Sequence, residues 1–506
     1  MTWLLWLLGA LAALAVASSL ALYSYGRFAR NARGADSHAL PRDADATEID
    51  RQLAPLTGQH PGCSGLALSC EGRGAFALRL ASIRAAGRSL DIVTYIWRDD
   101  MSGRLLAQEL MAAADRGVRV RLLLDDVNVQ GFDPKFRALN GHPGIEVRLF
   151  NPVRYRGNAI RRGIEMLLMA VRFNRRMHAK LWIADGRLVV TGGRNVGNDY
   201  FDVPDARRRM VRDTDLVMLG PIVGDAERQF DAYWNSGEAL PIAAFWRDYE
   251  AGLDRFRHRL EENAALDSAR ALMAEAEGGP LVPDGLVWTD RAELVADPPE
   301  KAMARAQDRW LPRRILPLLG EAQRELRMIT PYFVPGWEGM EQLLELAERS
   351  VRVELLTNSL SATNHTVVHG AYRRYRWPLL AGGVRIYEFA PGVGGGQGPL
   401  RAEMLHSKGF TVDGRVGFIG TFNFDLRSAF LNIELGVVFE HPDLVAAFDA
   451  EFARCADPAQ SYALDLLGRR IGWSLGGHLH SQEPQAGALR RGMSWVIGHL
   501  PIHSQL

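Results

Sequence analysis

Residues 177–195 read MHAKLWIADGRLVVTGGRN. They place His178 two positions before Lys180, Asp185 five further on, and Asn195 just after the pair Gly192-Gly193. The order returns in residues 404–423, MLHSKGFTVDGRVGFIGTFN, where His406, Lys408, Asp413, Gly420 and Asn423 stand at closely matching spacings. Only four of the 60 basic residues are lysines (Lys135, Lys180, Lys301 and Lys408), and two of the four fall inside these stretches. An accidental His-x-Lys-x4-Asp match in so lysine-poor a chain has odds on the order of one in a hundred, so two matches mark a duplicated site.

Each stretch reads as a β-hairpin turning at Asp-Gly. Alternate residues of a strand share a face, so His178 and Lys180 project side by side, as do His406 and Lys408. The return strand carries Asn195 or Asn423 past a Gly-rich bend that leaves room for a ligand. Asp185 and Asp413 are candidates through the motif, but Asp-Gly is itself a favoured hairpin turn, and that role carries more weight. Two halves packed about a pseudo-twofold axis would bring the histidines face to face across one pocket. One neutral imidazole can then attack phosphorus while the other, protonated, delivers a proton to the leaving oxygen. The lysines and asparagines would steady the non-bridging oxygens as charge builds. Asp215 (in DTDLVML) and Glu434 (in NIELGVV) open apolar strands at equivalent places after the motifs. They are expected to hydrogen-bond the histidines and set their tautomer, a surface-facing strand residue being the alternative for Asp215. No carboxylate cluster suited to a metal is evident in the sequence, and neither metal nor cofactor is expected.

Outward from the motifs, short β-branched runs alternate with Ala/Leu-rich helical stretches, the mark of an α/β fold. RGVRV at 116–120 and RSVRV at 349–353 occupy equivalent places before the two motifs, so the repeat is a duplication rather than a solenoid. The expected architecture is two such lobes, each a mixed, mostly parallel sheet flanked by helices. The divisions are a membrane anchor (1–30), a polar tether carrying Asp43, Asp45, Glu48 and Asp50 (31–61), a first lobe (62–245), a helical crossover (246–299), a second lobe (300–456) and a tail (457–506). The tail ends in a segment with Met493, Trp495 and Ile497 among Arg490 and Arg491, read equally as an interfacial helix or as a packed end.

Residues 3–25 carry no charge, enough to cross a bilayer as a helix, with a cleaved leader as the rival reading. Arg27, Arg30 and Arg33 follow the run and place the body on the cytoplasmic side. Residues 160–176 form an amphipathic helix in which Ile164, Leu167, Leu168 and Val171 share a face among five arginines; it suits a lipid surface or, equally, a core-packed position. A net charge of +1 argues against a nucleic-acid partner, and three cysteines give neither a disulfide framework nor a zinc site.

The twin HxKx4D stretches with their trailing GGxN and GxxN resemble the phospholipase D superfamily over about residues 62–454. Within it the chain is similar to the bacterial cardiolipin synthases, most of all their C type. YIWRDDMSGRLL (95–106), RGVRVRLLLDD (116–126), NRRMHAK (174–180), YFVP (332–335), LTNSL (356–360) and IGTFNFDLRS (419–428) carry that likeness. The resemblance implies a ping-pong transfer. A histidine, His178 by analogy, takes a phosphatidyl group from phosphatidylglycerol or phosphatidylethanolamine, and a phosphatidylglycerol hydroxyl then accepts it. His406 would serve as acid and then base. A phospholipase D-type hydrolase and a lipid-binding scaffold are the rival readings, and the sequence leaves open whether a partner protein is needed.

Overall fold

The structure, a computed structural model, describes residues 2–42, 46–204, 209–246, 252–392 and 404–500. Asp43 and Asp45 of the expected tether, and the last six residues of the tail, lie outside them. In chain order the first lobe contributes β1 (Ser64–Ser69), β2 (Ser89–Thr94), β3 (Arg119–Asp125), β4 (Ile145–Phe150), β5 (Leu181–Ala184), β6 (Leu188–Gly192), β7 (Val211–Arg212), β8 (Asp215–Leu219), β9 (Ala239–Pro241) and β10 (Val287–Thr289). The second contributes β11 (Ala292–Ala296), β12 (Glu325–Ile329), β13 (Phe333–Val334), β14 (Arg352–Asn358), β15 (Arg385–Phe389), β16 (Met404–Leu405), β17 (Gly409–Val412), β18 (Val416–Gly420), β19 (Phe424–Asp425) and β20 (Leu435–Glu440). Three further strands, β21 (Ser461–Leu467), β22 (Arg470–Leu475) and β23 (His478–His480), follow.

Two large sheets result, ordered β10-β1-β8-β6-β5-β2-β3-β4-β9 and β11-β20-β18-β17-β12-β14-β15-β21-β22-β23. Seven successive strands match one for one, β1 with β11 through β4 with β15, and every pairing has the same sense in both. The chain is therefore a duplicated α/β fold. Its sheets are mixed, but parallel pairing is confined to β2-β3-β4 and β12-β14-β15, a smaller share than the sequence suggests. Part of the reason is local: each motif hairpin, β5-β6 and β17-β18, closes through a tight Asp-Gly turn, which forces antiparallel neighbours, and β8 and β20 then pair antiparallel to the return strands.

Three apolar cores hold the lobes. One lies under the helices of the first lobe and one under those of the second. The third spans both, joining Met177, Leu181 and Leu216 to Leu405, Ile419 and Phe448. Burial of this shared core fixes the lobes on each other. At its centre β16 pairs in parallel with β7, and Met177 bridges to Ile433 in the same sense.

The segment read as a tether is part of the body. Arg148 donates to the Ala35 carbonyl and Arg121 to that of Ser37, while Thr47 and Asp50 form a capping box for the helix Glu48–Gly58. Asp50, expected to be solvated, is buried between Arg88 and Arg187. The crossover likewise ends inside the fold, since β10 joins the first sheet and β11 the second. The tail extends the second sheet, and its helix Ala488–Gly498 packs on Thr366–Ala381 at Gly370, where a Cβ would stand 2.8 Å from Ile497. Leu489, Met493 and Val496 remain exposed along the other side of that helix. At the opposite end of the chain, Thr2–Ala32 is long and apolar enough to cross a membrane and touches the body only near its end, where the Tyr25 hydroxyl donates to the Pro152 carbonyl at 2.6 Å.

Candidate active site

His178 and Lys180 lead into β5, and His406 and Lys408 lead into β17. Each lysine turns back on its own histidine, Lys180 Nζ donating to the His178 carbonyl at 2.7 Å and Lys408 Nζ to that of His406. The backbone pins each histidine to the opposite lobe: His178 N–H donates to the Ile433 carbonyl at 2.9 Å, and His406 N–H to that of Arg212 at 2.7 Å. The residue after each acceptor carries a carboxylate. Glu434 lies 2.8 Å from His178 Nδ1, and Asp213 lies 2.6 Å from His406 Nδ1. Each imidazole is thus oriented by a carboxylate from the other lobe.

Asp215 does not hold a histidine. It is buried in β8 and ion-pairs Arg79 at 3.0 Å and Arg194 at 3.1 Å. Asp213, two residues earlier, takes the place symmetric with Glu434. The segment between Asn195 and this DTD is longer than that from Asn423 to Glu434, so spacing does not single out Asp213, and the place at the head of an apolar strand points to Asp215 instead.

The aspartates of the motifs also lie elsewhere. Asp185 and Asp413 adopt positive φ (51° and 54°) at the hairpin tips. The Asp185 carboxylate accepts the N–H groups of Gly87, Arg88 and Ser89 at 2.8–2.9 Å, and Asp413 those of Gln323, Arg324 and Glu325. Seven residues of extended chain, roughly 20 Å, separate each from its histidine. They staple the hairpins to the starts of β2 and β12. Asn195 and Asn423 are buried at the far ends of the return strands; the Asn195 side chain accepts the Ile96 N–H at 3.2 Å, while Asn423 Oδ1 has no protein donor among the described residues.

Burial comes first in setting the charges. It lowers His178 to about 4 and His406 to about 3, and both Lys180 and Lys408 push each imidazole further down against its carboxylate. Each imidazole therefore lies within electrostatic reach of both lysines. The lysines themselves are drawn down by burial, Lys180 to about 7 and Lys408 to about 8. Burial pushes Glu434 up, but His178, Lys180 and the Thr421 hydroxyl outweigh it and hold the carboxylate ionised; His406, Lys408 and Arg194 do the same for Asp213. With Nδ1 donating to an ionised carboxylate, each imidazole keeps a lone pair on Nε2.

Several supporting groups carried no recognisable sequence signal. Asp125 and Asn358, at equivalent ends of β3 and β14, accept the N–H of the residue before each histidine, Met177 at 2.8 Å and Leu405 at 2.9 Å. Glu434 accepts from Thr421, Ser428 and Asn432, and its own N–H donates to Asp297, which is ion-paired with fully buried Lys301 at 2.8 Å. Tyr95 meets the His178 ring edge-on at 4.9 Å and Tyr200 that of His406 at 5.6 Å. Tyr95, Asp125, Asn358, Thr421 and Ser428 lie in stretches that carry the family resemblance, yet nothing in those stretches shows which side chain each supports.

The family model described as "Cardiolipin synthase, PLD-like domain" matches residues 80–234 and 315–456, one segment on each lobe with one motif in each. The chain belongs to this family. Among cardiolipin synthase relatives, cardiolipin synthase C of Escherichia coli is 38% identical over 454 residues, covering 86% of this chain and 92% of that protein. A cardiolipin synthase of Geobacillus kaustophilus is 27% identical over 407 residues, 79% of this chain and 68% of that one. The fold is similar to that of a phosphatidylserine synthase from Haemophilus influenzae, with a TM-score of 0.56 at 14% identity over 79% of this chain and 87% of that structure.

Proposed function

We propose that the protein is a cardiolipin synthase that moves a phosphatidyl group from a donor phospholipid to phosphatidylglycerol through a phosphatidyl-histidine. The observation that carries this reading is the reciprocal pairing of His178 with Glu434 and of His406 with Asp213. It supplies two imidazoles with free Nε2 lone pairs, each with a lysine held at its own backbone carbonyl. His178 Nε2 attacks phosphorus, the P–O bond to the headgroup alcohol breaks, and His406 delivers the proton to the departing oxygen. His406 then takes the proton of the phosphatidylglycerol hydroxyl, whose oxygen attacks phosphorus and displaces His178. Arrival of the phosphodiester anion raises both imidazoles, so that His406 can carry the proton the first step needs. Lys180, Lys408, Asn195 and Asn423 face the non-bridging oxygens.

Lipid chemistry also needs access to a bilayer. Thr2–Ala32 anchors the chain in the cell membrane, and the arginines that follow its apolar run put the body on the cytoplasmic face. The helix Ala159–Leu168 lies beside this anchor with Ile160, Ile164 and Leu167 exposed along it, an arrangement suited to the lipid surface rather than to a core. Arg427 of the second lobe donates to Asn174, between this helix and His178, which ties the segment to the second lobe. Transfer must outrun water at about 55 M, and a pocket opening onto lipid favours the lipid acceptor.

Proteoliposomes with labelled phosphatidylglycerol, with and without phosphatidylethanolamine, test the reading. Cardiolipin is the expected product, and phosphatidic acid alone would show a hydrolase. Trapped label on His178 in a His406→Ala variant is the expected sign of the covalent step.

A further inference from the structure

We propose that the cavity between the N-terminal helix and the first lobe binds one anionic phospholipid, apart from the histidine pocket. The cavity measures about 290 Å³ and lies where the apolar helix meets the body. Ala21, Ser24 and Tyr25 form one wall, Ile164 and Leu168 another, and Arg154 and Arg161 complete the lining with Tyr155.

The two guanidiniums are what call for an anion. Neither makes an ion pair or a side-chain hydrogen bond among the described residues; they lie over rings instead, Arg154 at 5.0 Å from Phe28 and 5.4 Å from Tyr155, Arg161 at 6.0 Å from Tyr155. A guanidinium on a ring face keeps its N–H edge free for phosphate oxygens. Glu165 is the one carboxylate of the lining, and its oxygens accept the backbone N–H groups of Arg154 and Tyr155 at 3.1–3.3 Å. Its charge is spent on fixing the loop that carries Arg154. Two cations against one carboxylate leave a net single positive charge, which matches the charge of one phosphodiester.

The walls call for a lipid rather than a free anion. Ile164 and Leu168 share their helix with exposed Ile160 and Leu167, and exposed Leu20 and Leu22 flank Ala21 on the N-terminal helix. A free phosphate would use none of this surface; an acyl chain would lie along it. The assignment rests on Thr2–Ala32 crossing the bilayer and not on the transfer chemistry.

The site also bears on catalysis. Val153 N–H, beside Arg154, donates to Asp126 at 3.0 Å, and the preceding Asp125 accepts Met177 N–H at 2.8 Å, immediately before His178. A lipid that orders the Arg154 loop therefore steadies the segment leading into the pocket.

Native mass spectrometry of the full-length protein in neutral detergent tests this, in a His178→Ala background so that bound lipid persists. The probes are phosphatidylglycerol, phosphatidylcholine and inorganic phosphate. Arg154→Gln/Arg161→Gln is expected to bind one phosphatidylglycerol fewer than its parent, or the same copy about thirtyfold more weakly. Ile164→Glu should lose the same copy, and Arg162→Gln, on the same helix but outside the cavity, should keep it. Unchanged copy number and affinity in the double variant would overturn the proposal. So would equal retention of phosphatidylcholine, or displacement of the lipid by millimolar phosphate. If the transfer reading failed, turnover assays would report it while this copy number stayed as it is.

Discussion

Asp213 and Asp215 sit two residues apart, both buried and both charged, yet they should fail differently when neutralised. Asp213→Asn leaves His406 with the wrong hydrogen-bond partner, and turnover should fall roughly 10²–10⁴-fold with the melting temperature nearly unchanged. Asp215→Asn strands Arg79 and Arg194 in the core and should cost about 3–5 kcal/mol in denaturant unfolding. A loss of turnover at fixed stability in Asp215→Asn, with none in Asp213→Asn, would exchange their roles. The imidazoles set the pH dependence of folding. Their folded values near 4 and 3 lie below the ordinary 6.5, so the unfolded chain binds more protons just below that pH. The imidazole contribution to stability should be fully present above pH 6.5 and decline as pH falls toward 4, and a His178→Gln/His406→Gln variant should show a flatter slope in unfolding over that acid range. At this scale His178, Lys180, His406 and Lys408 were legible because a rare residue recurs at fixed spacing. Asp213, Asp125 and Lys301 were not, because their partners are distant in sequence and no spacing records them.

The motif hairpins show what local sequence can and cannot encode. The Asp-Gly turns at 185–186 and 413–414 were readable, since a left-handed pair with short polar side chains favours them. The use of each carboxylate as a triple acceptor for the start of another strand was not, because it depends on where β2 and β12 begin. Asp413→Ala should therefore lower stability by about 1–3 kcal/mol in chemical denaturation while leaving turnover of the folded protein within a few-fold of wild type. A collapse in turnover at full stability would return Asp413 to the chemistry. The polar stretch before the first lobe misled for a related reason: an acidic residue such as Asp50 looks solvated until the arginines that bury it are in view.

Across the whole molecule, the twofold repeat could be read from the paired motifs, whereas the exchange of carboxylates between lobes could not. Sequence spacing measures distance along one lobe, and His178 is 256 residues from Glu434. The shared core makes the lobes interdependent, with Arg212 of the first paired to Glu451 of the second at 2.8 Å as a further tie. A chain cleaved between Thr289 and Ala292, where the path passes from one sheet to the other, should keep its turnover while the halves remain associated. Halves expressed separately should have none, and mixing them during refolding should restore it. Activity in either half alone would mean that one motif suffices.

The same 256-residue separation sets a timetable. The apolar helix Thr2–Ala32 is made before either lobe and can bring the growing chain to a bilayer, surrounded by phosphodiesters. His178 follows, but nothing orients it until Glu434 has been made and the second lobe has closed on the first. A nascent or truncated chain beside the membrane is therefore chemically silent. On the proposed mechanism, phosphodiesters beside it stay intact until both lobes are made.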